Sequence, residues 1–298
     1  MPRRSSRSRP NRPSRWRHHP RRSRRCRSRT RRAARWRVRP HPAREVFPVA
    51  ADDPVYLIRM APRMLLSMPL HAITEVYGEE GLRQRFGLEL ESFPAADRER
   101  LTEALDLAAT LHADDRRVRE PYLNHLLRVA IRIIRYYQVR DVDVLVAALL
   151  HDAVEDHPAE LAGLPADTAY PKATEAALAV LAHRFGARVS ELVRSVTNPA
   201  YDPGRDRHEQ YREHVTASLD RDPWARIIKI SDFTDNGVGV IHTTLDKAYR
   251  SATKYRPLVP KLRELIGRPD TPLSTQAKEH ILDQLDLAEE RFAAILDD

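Results

Sequence analysis

Leu145-Val146-Ala147-Ala148-Leu149-Leu150-His151-Asp152-Ala153-Val154-Glu155-Asp156 is the stretch on which the reading of this chain turns. Six apolar or alanine residues open it, and four ionisable side chains then follow between 151 and 156. A helix that enters a core does not ordinarily finish on His-Asp and Glu-Asp. Burying a charge costs several kcal/mol unless it is paired or bound to a metal. The spacing predicts one helix over 142–155, with His151 and Glu155 on one face and Asp152 and Asp156 on the same face as each other. By residue type, His151 and Asp152 are candidate metal ligands, and Glu155 and Asp156 are candidate acid/base groups. The plainer alternative is a helix end that returns to solvent.

Outward from this segment, the chain divides by charge. Its 298 residues suffice for a substantial core, and 42% of them are hydrophobic. Of the 51 Lys and Arg, 19 are arginines between 1 and 44, a span that holds no acidic residue. The remaining 32 basic residues face 42 acidic ones, so the formal charge of +9 conceals an acidic body behind a basic tail. The lone cysteine, Cys26, lies in that tail. A disulfide framework and a cysteine-built zinc site are thereby excluded, and a cytoplasmic setting is expected. No apolar run of membrane-spanning length occurs, so no membrane partner is expected.

Residues 1–45 alternate Arg with Ser, Pro and His and carry no apolar period, which predicts disorder. Such a tail suits non-specific contact with nucleic acid or another polyanion, with Trp16 and Trp36 available for stacking. An equal alternative is that translation starts further downstream. A targeting signal is not expected, because no apolar segment follows the arginines. Residues 46–95 read as a helical lead-in packed on the core, with one or two short helices including 80–85. A main domain is expected over 96–268 and a C-terminal helix over 269–298.

Helical periodicity continues along the main domain. A helix is expected from Ala95, with Asp97 in its first turn. Another is expected to open on Pro121 and carry His125 beside Leu126, Val129, Ile133 and Ile134. Further helices are expected over 173–185 and 187–196, joined at Gly186, then over 207–219, from Asp222-Pro223 onward, and over 245–266 and 275–296. No useful alternating pattern appears, and the fold class expected is all-α.

His125, His151, Asp152 and Asp232 each sit at the polar end of an apolar helical segment. Two imidazoles and two carboxylates form a mixed donor set that suits Mn²⁺, Fe²⁺ or Zn²⁺. At this point the chain resembles the HD superfamily of metal-dependent phosphohydrolases, and within it the hydrolase domain of the RelA/SpoT family. Glu120-Pro121-Tyr122-Leu123-Asn124-His125 resembles that family's GEPY-x-x-HP stretch, with Arg116 and Arg117 at its basic pair. Residues 147–156 resemble its AALLHD-x-x-ED core. Phe185-Gly186-Ala187-Arg188-Val189 through Val196-Thr197, and Lys229-Ile230-Ser231-Asp232 with Asn236, match two further segments, so the resemblance covers roughly 100–260.

The resemblance implies an HD-domain helical bundle, a divalent metal (Mn²⁺) held by His125, His151, Asp152 and Asp232, and catalytic roles for Glu155 and Asp156. It also implies removal of the 3′-pyrophosphate from ppGpp and pppGpp by a stand-alone module without a synthetase domain. Arg116 and Arg117 are candidates for binding phosphates or stacking on a purine, with a solvated basic turn as the alternative. Asn236 is a candidate ribose or phosphate contact, and Lys229 is assigned to structure. Departures fall at Phe233 and Asp235, where the family carries Arg and His, and at Arg119, Leu126 and His157. They leave open two alternatives: another nucleotide or phosphorylated metabolite as substrate, and a non-catalytic nucleotide-binding module. The oligomeric state is left open.

Overall fold

Residues 62–297 are described by the computed structural model. The tail expected at 1–45 and the first part of the lead-in lie outside the described residues. The helices are α1 (Pro62–Ser67), α2 (Leu70–Leu90), α3 (Ala95–Leu111), α4 (Leu123–Arg135), α5 (Val142–Leu149), α6 (Ala153–Asp156) and α7 (Pro158–Leu161). They continue as α8 (Tyr170–Phe185), α9 (Ala187–Val196), α10 (Arg207–Arg221), α11 (Pro223–Gly237), α12 (Leu245–Tyr255), α13 (Val259–Gly267) and α14 (Thr275–Leu296). Short 3₁₀ turns fill Val238–His242 and Arg256–Leu258. Among the described residues the only β pairing is an isolated bridge between Arg116 and Pro121, so the fold is all-α. Among the same residues no helix is long and apolar enough to cross a membrane.

Three helices make the centre. Every residue of α4 from Leu123 to Ile134 is buried, and α11 buries Ala225 through Asp235. A helix buried on all sides belongs in the middle of a bundle. α5 lies against both, α2 covers the outer side of α4, and α3 and α9 cover α5. α14 closes the far side against α11, α12 and α13. Two aspartates start the central helices. Asp141 Oδ1 accepts from the amides of Asp143 and Val144 at 3.1 and 3.3 Å. Asp222 Oδ1 accepts from Trp224 and Ala225 at 3.0 and 3.2 Å, with Pro223 in the first turn. Each such cap contributes about 1 kcal/mol.

Three local expectations need correction. The short helix expected at 80–85 is part of a longer stretch, α2, whose 21 residues are two helices joined across a kink. Gly78 kinks it at φ 62° and ψ −148°, and the fully buried Arg85, paired with Glu89 at 2.8 Å, puts charges on its inner face. Both features break the apolar period. Pro121 does not open α4. It lies in the loop before it, where Arg117 N donates to Glu120 O at 2.8 Å and Tyr122 N to Asp115 O at 3.1 Å. Finally, the helix expected over 142–155 is two helices, separated by the turn that carries His151 and Asp152.

Gly186 joins α8 to α9 at φ 96° and ψ 156°, a conformation open essentially to glycine alone. Gly186→Ala is expected to destabilise the protein by about 1–3 kcal/mol. A Cβ there meets nothing nearer than Arg100 at 4.0 Å, so the loss is conformational. Gly267→Ala, in a helical turn with open space around it, is expected to be neutral or stabilising. Denaturant unfolding of the two variants makes the comparison.

Candidate metal centre

The site begins where α5 fails to continue. His151 Nδ1 bonds the carbonyl of Ala148 at 2.9 Å, the acceptor that a longer helix would give to the amide of Asp152. The chain turns through His151-Asp152 and restarts as α6, with Asp156 N donating to Asp152 O at 2.8 Å. The turn aims His151 inward. With Nδ1 used as the donor, its Nε2 is bare, buried and without a hydrogen-bond partner.

α4 brings His125 to the same point, and α11 brings Asp232. His151 Nε2 lies 3.2 Å from Asp152 Oδ2 and 3.9 Å from Asp232 Oδ1. His125 Nε2 lies 3.4 Å from Asp232 Oδ1 and 3.7 Å from Asp152 Oδ2. Donors placed about 2.1 Å from an octahedral ion are about 3 Å from their neighbours and about 4 Å from the donor opposite. His125, His151 and Asp152 offer ligand atoms that all lie within 4.8 Å of one another, Asp232 Oδ1 approaches both imidazoles, and the buried Nε2 of His151 is a donor that a cation would satisfy. The residues present fit a divalent metal ion.

The charges are balanced through close partners. Burial alone would raise the pKa of Asp232, but the Lys229 ammonium, donating at 2.9 Å, and His125 hold it well below the carboxylate range. Burial would likewise raise Asp152, and His151 pulls it down. For His151, burial lowers the value, but Asp152 and Asp232 lift it to about 9. A divalent ion at this point would therefore compete with a proton for His151.

A second ring of contacts orients the ligands. His125 Nδ1 donates to Asp235 Oδ2 at 2.8 Å, which leaves Nε2 as the free lone pair. Asp235 is fully buried and takes a two-pronged bond from Arg128, at 2.8 and 2.9 Å, with Arg132 at 3.1 Å and Arg117 at 3.3 Å. Arg128 also holds Glu120 through two bonds of 2.7 Å. Tyr122 OH donates to Asp152 Oδ2 at 2.7 Å, and Asn236 Nδ2 to Asp232 Oδ1 at 2.6 Å. Asn198 Nδ2 and N donate to the Glu155 carboxylate at 2.6 and 3.3 Å. Burial, reinforced by Asp152 and Glu155, pushes the Asp156 carboxyl up to about 7.

The structure thus brings His125, His151, Asp152 and Asp232 together, with Glu155 and Asp156 on the adjoining short helix. Arg117 and Asn236 bond each other and the ring around the ligands, whereas Arg116 is exposed. Lys229, read as structural, touches a ligand carboxylate. Sequence reasoning missed Tyr122, Arg128, Arg132, Asn198 and the positive role of Asp235. Arg128 and Arg132 did leave a signal, as two charges three and seven residues after His125 inside an apolar run.

Beside the ligands lies a cavity of about 270 Å³, lined in part by Arg117, Arg119, Asn236, His242 and Lys247. Burial lowers the pKa of Lys247, and so does crowding by Arg117 and Arg250. An anion bound there would relieve the repulsion.

Residues 104–217 match the HD domain family. The chain is 31% identical over 161 residues to the guanosine-3′,5′-bis(diphosphate) 3′-pyrophosphohydrolase of Aquifex aeolicus, covering 53% of this chain and 20% of that protein. It is 34% identical over 135 residues to the mouse protein of that name, MESH1, covering 44% of this chain and 64% of the relative. The Drosophila melanogaster MESH1 is 30% identical over 150 residues, covering 49% of this chain and 71% of the relative. A solved structure titled "A metazoan ortholog of SpoT hydrolyzes ppGpp and plays a role in starvation responses" has a TM-score of 0.47 and 25% identity, covering 65% of this chain and 96% of that one. The chain thus spans a fifth of the Aquifex relative and just under two thirds of the mouse one. By motif, matched residues and relatives, the chain belongs to the HD-domain family that includes these 3′-pyrophosphohydrolases.

Proposed function

We propose that this chain is a metal-dependent phosphohydrolase that removes the 3′-pyrophosphate of ppGpp and pppGpp. The observation that carries the reading is the convergence of His125, His151, Asp152 and Asp232 on one point, with a buried imidazole nitrogen left unpartnered there. The relatives' names support the substrate, and so does the crowding of cations around the adjoining cavity. Mn²⁺ is the ion proposed, since two imidazoles and two carboxylates suit a borderline-hard divalent cation with open positions. The lone cysteine agrees with action in the cytoplasm, and the arginine-rich 1–45 stretch with non-specific polyanion contact.

A bound divalent ion supplies Lewis acidity toward a phosphoryl oxygen and toward water. The protein's own groups supply the rest. His125 and His151 present bare Nε2 atoms because Asp235 and the Ala148 carbonyl hold their Nδ1 protons. Asp156, poised near neutrality, takes a proton from the attacking water, and Glu155, anchored by Asn198, orients that water. The water oxygen bonds to phosphorus, the bond from that phosphorus to the 3′-oxygen breaks, and the 3′-oxygen departs with the proton that Asp156 took from the water. Arg117, Arg119 and Lys247 meet the substrate's negative charge along the cavity.

Chelator-stripped protein reloaded with Mn²⁺ is expected to release pyrophosphate from ppGpp, and Asp232→Ala is expected to fall to background. Stoichiometric metal binding without release from ppGpp would move the substrate to another phosphorylated nucleotide. Neither metal nor turnover would reject the enzyme reading.

Asp235→Asn keeps the size of the side chain but weakens its hold on His125. It is expected to reduce Mn²⁺ affinity by about 10–100-fold, as read by calorimetry on the folded variant. Unchanged affinity would limit Asp235 to balancing its arginines.

Asp156 also has a stability signature. Its folded pKa, about 7, lies above the ordinary carboxylate value of 3.8. Its favourable contribution is therefore complete below about pH 4 and is lost as pH rises through about 7. In metal-free protein, Asp156→Asn is expected to melt higher than wild type near pH 8 and to lose that advantage as pH falls to about 4. A Tm difference that does not change with pH would contradict the environment described for Asp156.

A further inference from the structure

A second convergence of metal-binding side chains lies on the other side of Tyr122. His112 caps the C-terminus of α3, Asp115 belongs to the loop that leads to α4, and His157 sits between α6 and α7. Asp115 Oδ2 is 2.7 Å from His112 Nδ1 and 2.7 Å from His157 Nε2. The three ligand atoms all fall within 4.8 Å of one another. His157 Nδ1 faces the Glu160 carboxylate at 3.3 Å, an arrangement that turns Nε2 toward the cluster as the ligating atom.

We propose that His112, Asp115 and His157 form a second divalent-metal site, of the two-histidine, one-carboxylate type that takes Zn²⁺ or a similar first-row ion. The site requires no part of the reaction proposed above. Two imidazoles and a carboxylate are a common set of protein ligands for such ions, with water completing the shell. Asp115 keeps 34% of its side chain exposed and His157 20%, so ion and water have access. His112 is 2% exposed, and its ring is held by Asp115 and by stacking on Tyr122. The surroundings favour a cation. Asp156 feels the charges of Asp115 and Asp152, and Glu160 adds another carboxylate at His157.

The consequence would be local. The ring of His112 stacks on Tyr122 at 4.8 Å, and Tyr122 donates to Asp152 of the first site. An ion at the second site would tie the loop that carries Arg117 and Tyr122 to the α6–α7 junction. It would hold the hydrogen bond to Asp152 in place without touching the substrate. His157 is among the positions at which this chain departs from the RelA/SpoT pattern.

Without an ion, the same three residues make a hydrogen-bonded staple, in which Asp115 accepts from both rings. The test separates the two, because asparagine still accepts hydrogen bonds but is a poor metal ligand. The full chain would be stripped with chelator, titrated with Zn²⁺, desalted and assayed for bound metal. Co²⁺ absorption would be recorded in parallel. Asp115→Asn and His157→Gln are each expected to hold one equivalent fewer than wild type, at unchanged helical circular dichroism. The double variant Asp115→Asn/Asp232→Ala is expected to lose one equivalent more than Asp232→Ala alone. Comparing variants cancels any metal held by the histidines of residues 1–45. Equal stoichiometry in wild type and Asp115→Asn would overturn the inference. So would a double variant that loses no more than Asp232→Ala. Failure of ppGpp turnover would leave the outcome untouched.

Discussion

The structure depends on one buried carboxylate. Asp235 has no exposed side-chain surface, and an ionised group in such a place costs several kcal/mol unless it is fully paired. Here Arg128 meets it with two parallel bonds, Arg132 and Arg117 add one each, and His125 donates the last. Those partners come from α4 and the loop before it, while Asp235 belongs to α11. The ion pairs therefore hold together the two helices that carry His125 and Asp232. Loss of the carboxylate would leave Arg128 to Glu120 and Arg132 to Ser231, and would free the ring of the candidate ligand His125.

The charges near the site fall into two groups. Around the ligands, acids are held ionised: Lys229 on Asp232, His151 on Asp152, Arg128 on Asp235. One turn away, Asp156 lacks such a cationic partner, and burial beside Asp152 and Glu155 drives it upward. Two aspartates four residues apart thus acquire opposite protonation tendencies from their surroundings, the condition under which one can ligate and the other can move protons. The cavity completes the pattern. Its cations crowd one another, and an anionic ligand would relieve them.

Asp235 also shows why a motif comparison needs the structure. In the sequence it is a departure from the family's pattern, at a position where the family carries a histidine. In three dimensions it is the partner that sets the tautomer of His125. The residues that make an aspartate tolerable there, Arg128 and Arg132, lie more than a hundred positions away in the chain. No local pattern links the two places.

Much was legible in the order of residues. The all-α class, the helix starts at Ala95 and Asp222-Pro223 and the junction at Gly186 are local matters, set by periodicity, capping chemistry and one backbone conformation. The candidate ligands were legible for the same reason: polar groups that end apolar helices announce themselves. Other features were decided by tertiary structure. The split after Leu149 lies where the buried His151 ring takes the Ala148 carbonyl, and the helical stretch beyond Gly78 can bury Arg85 because Glu89 meets it within the core. The ring of Tyr122, Arg128, Asn198 and Asp235 exists only when separate helices pack. Periodicity reports which face of a segment is buried. Which charge answers which across the core is settled by the cost of leaving any of them alone.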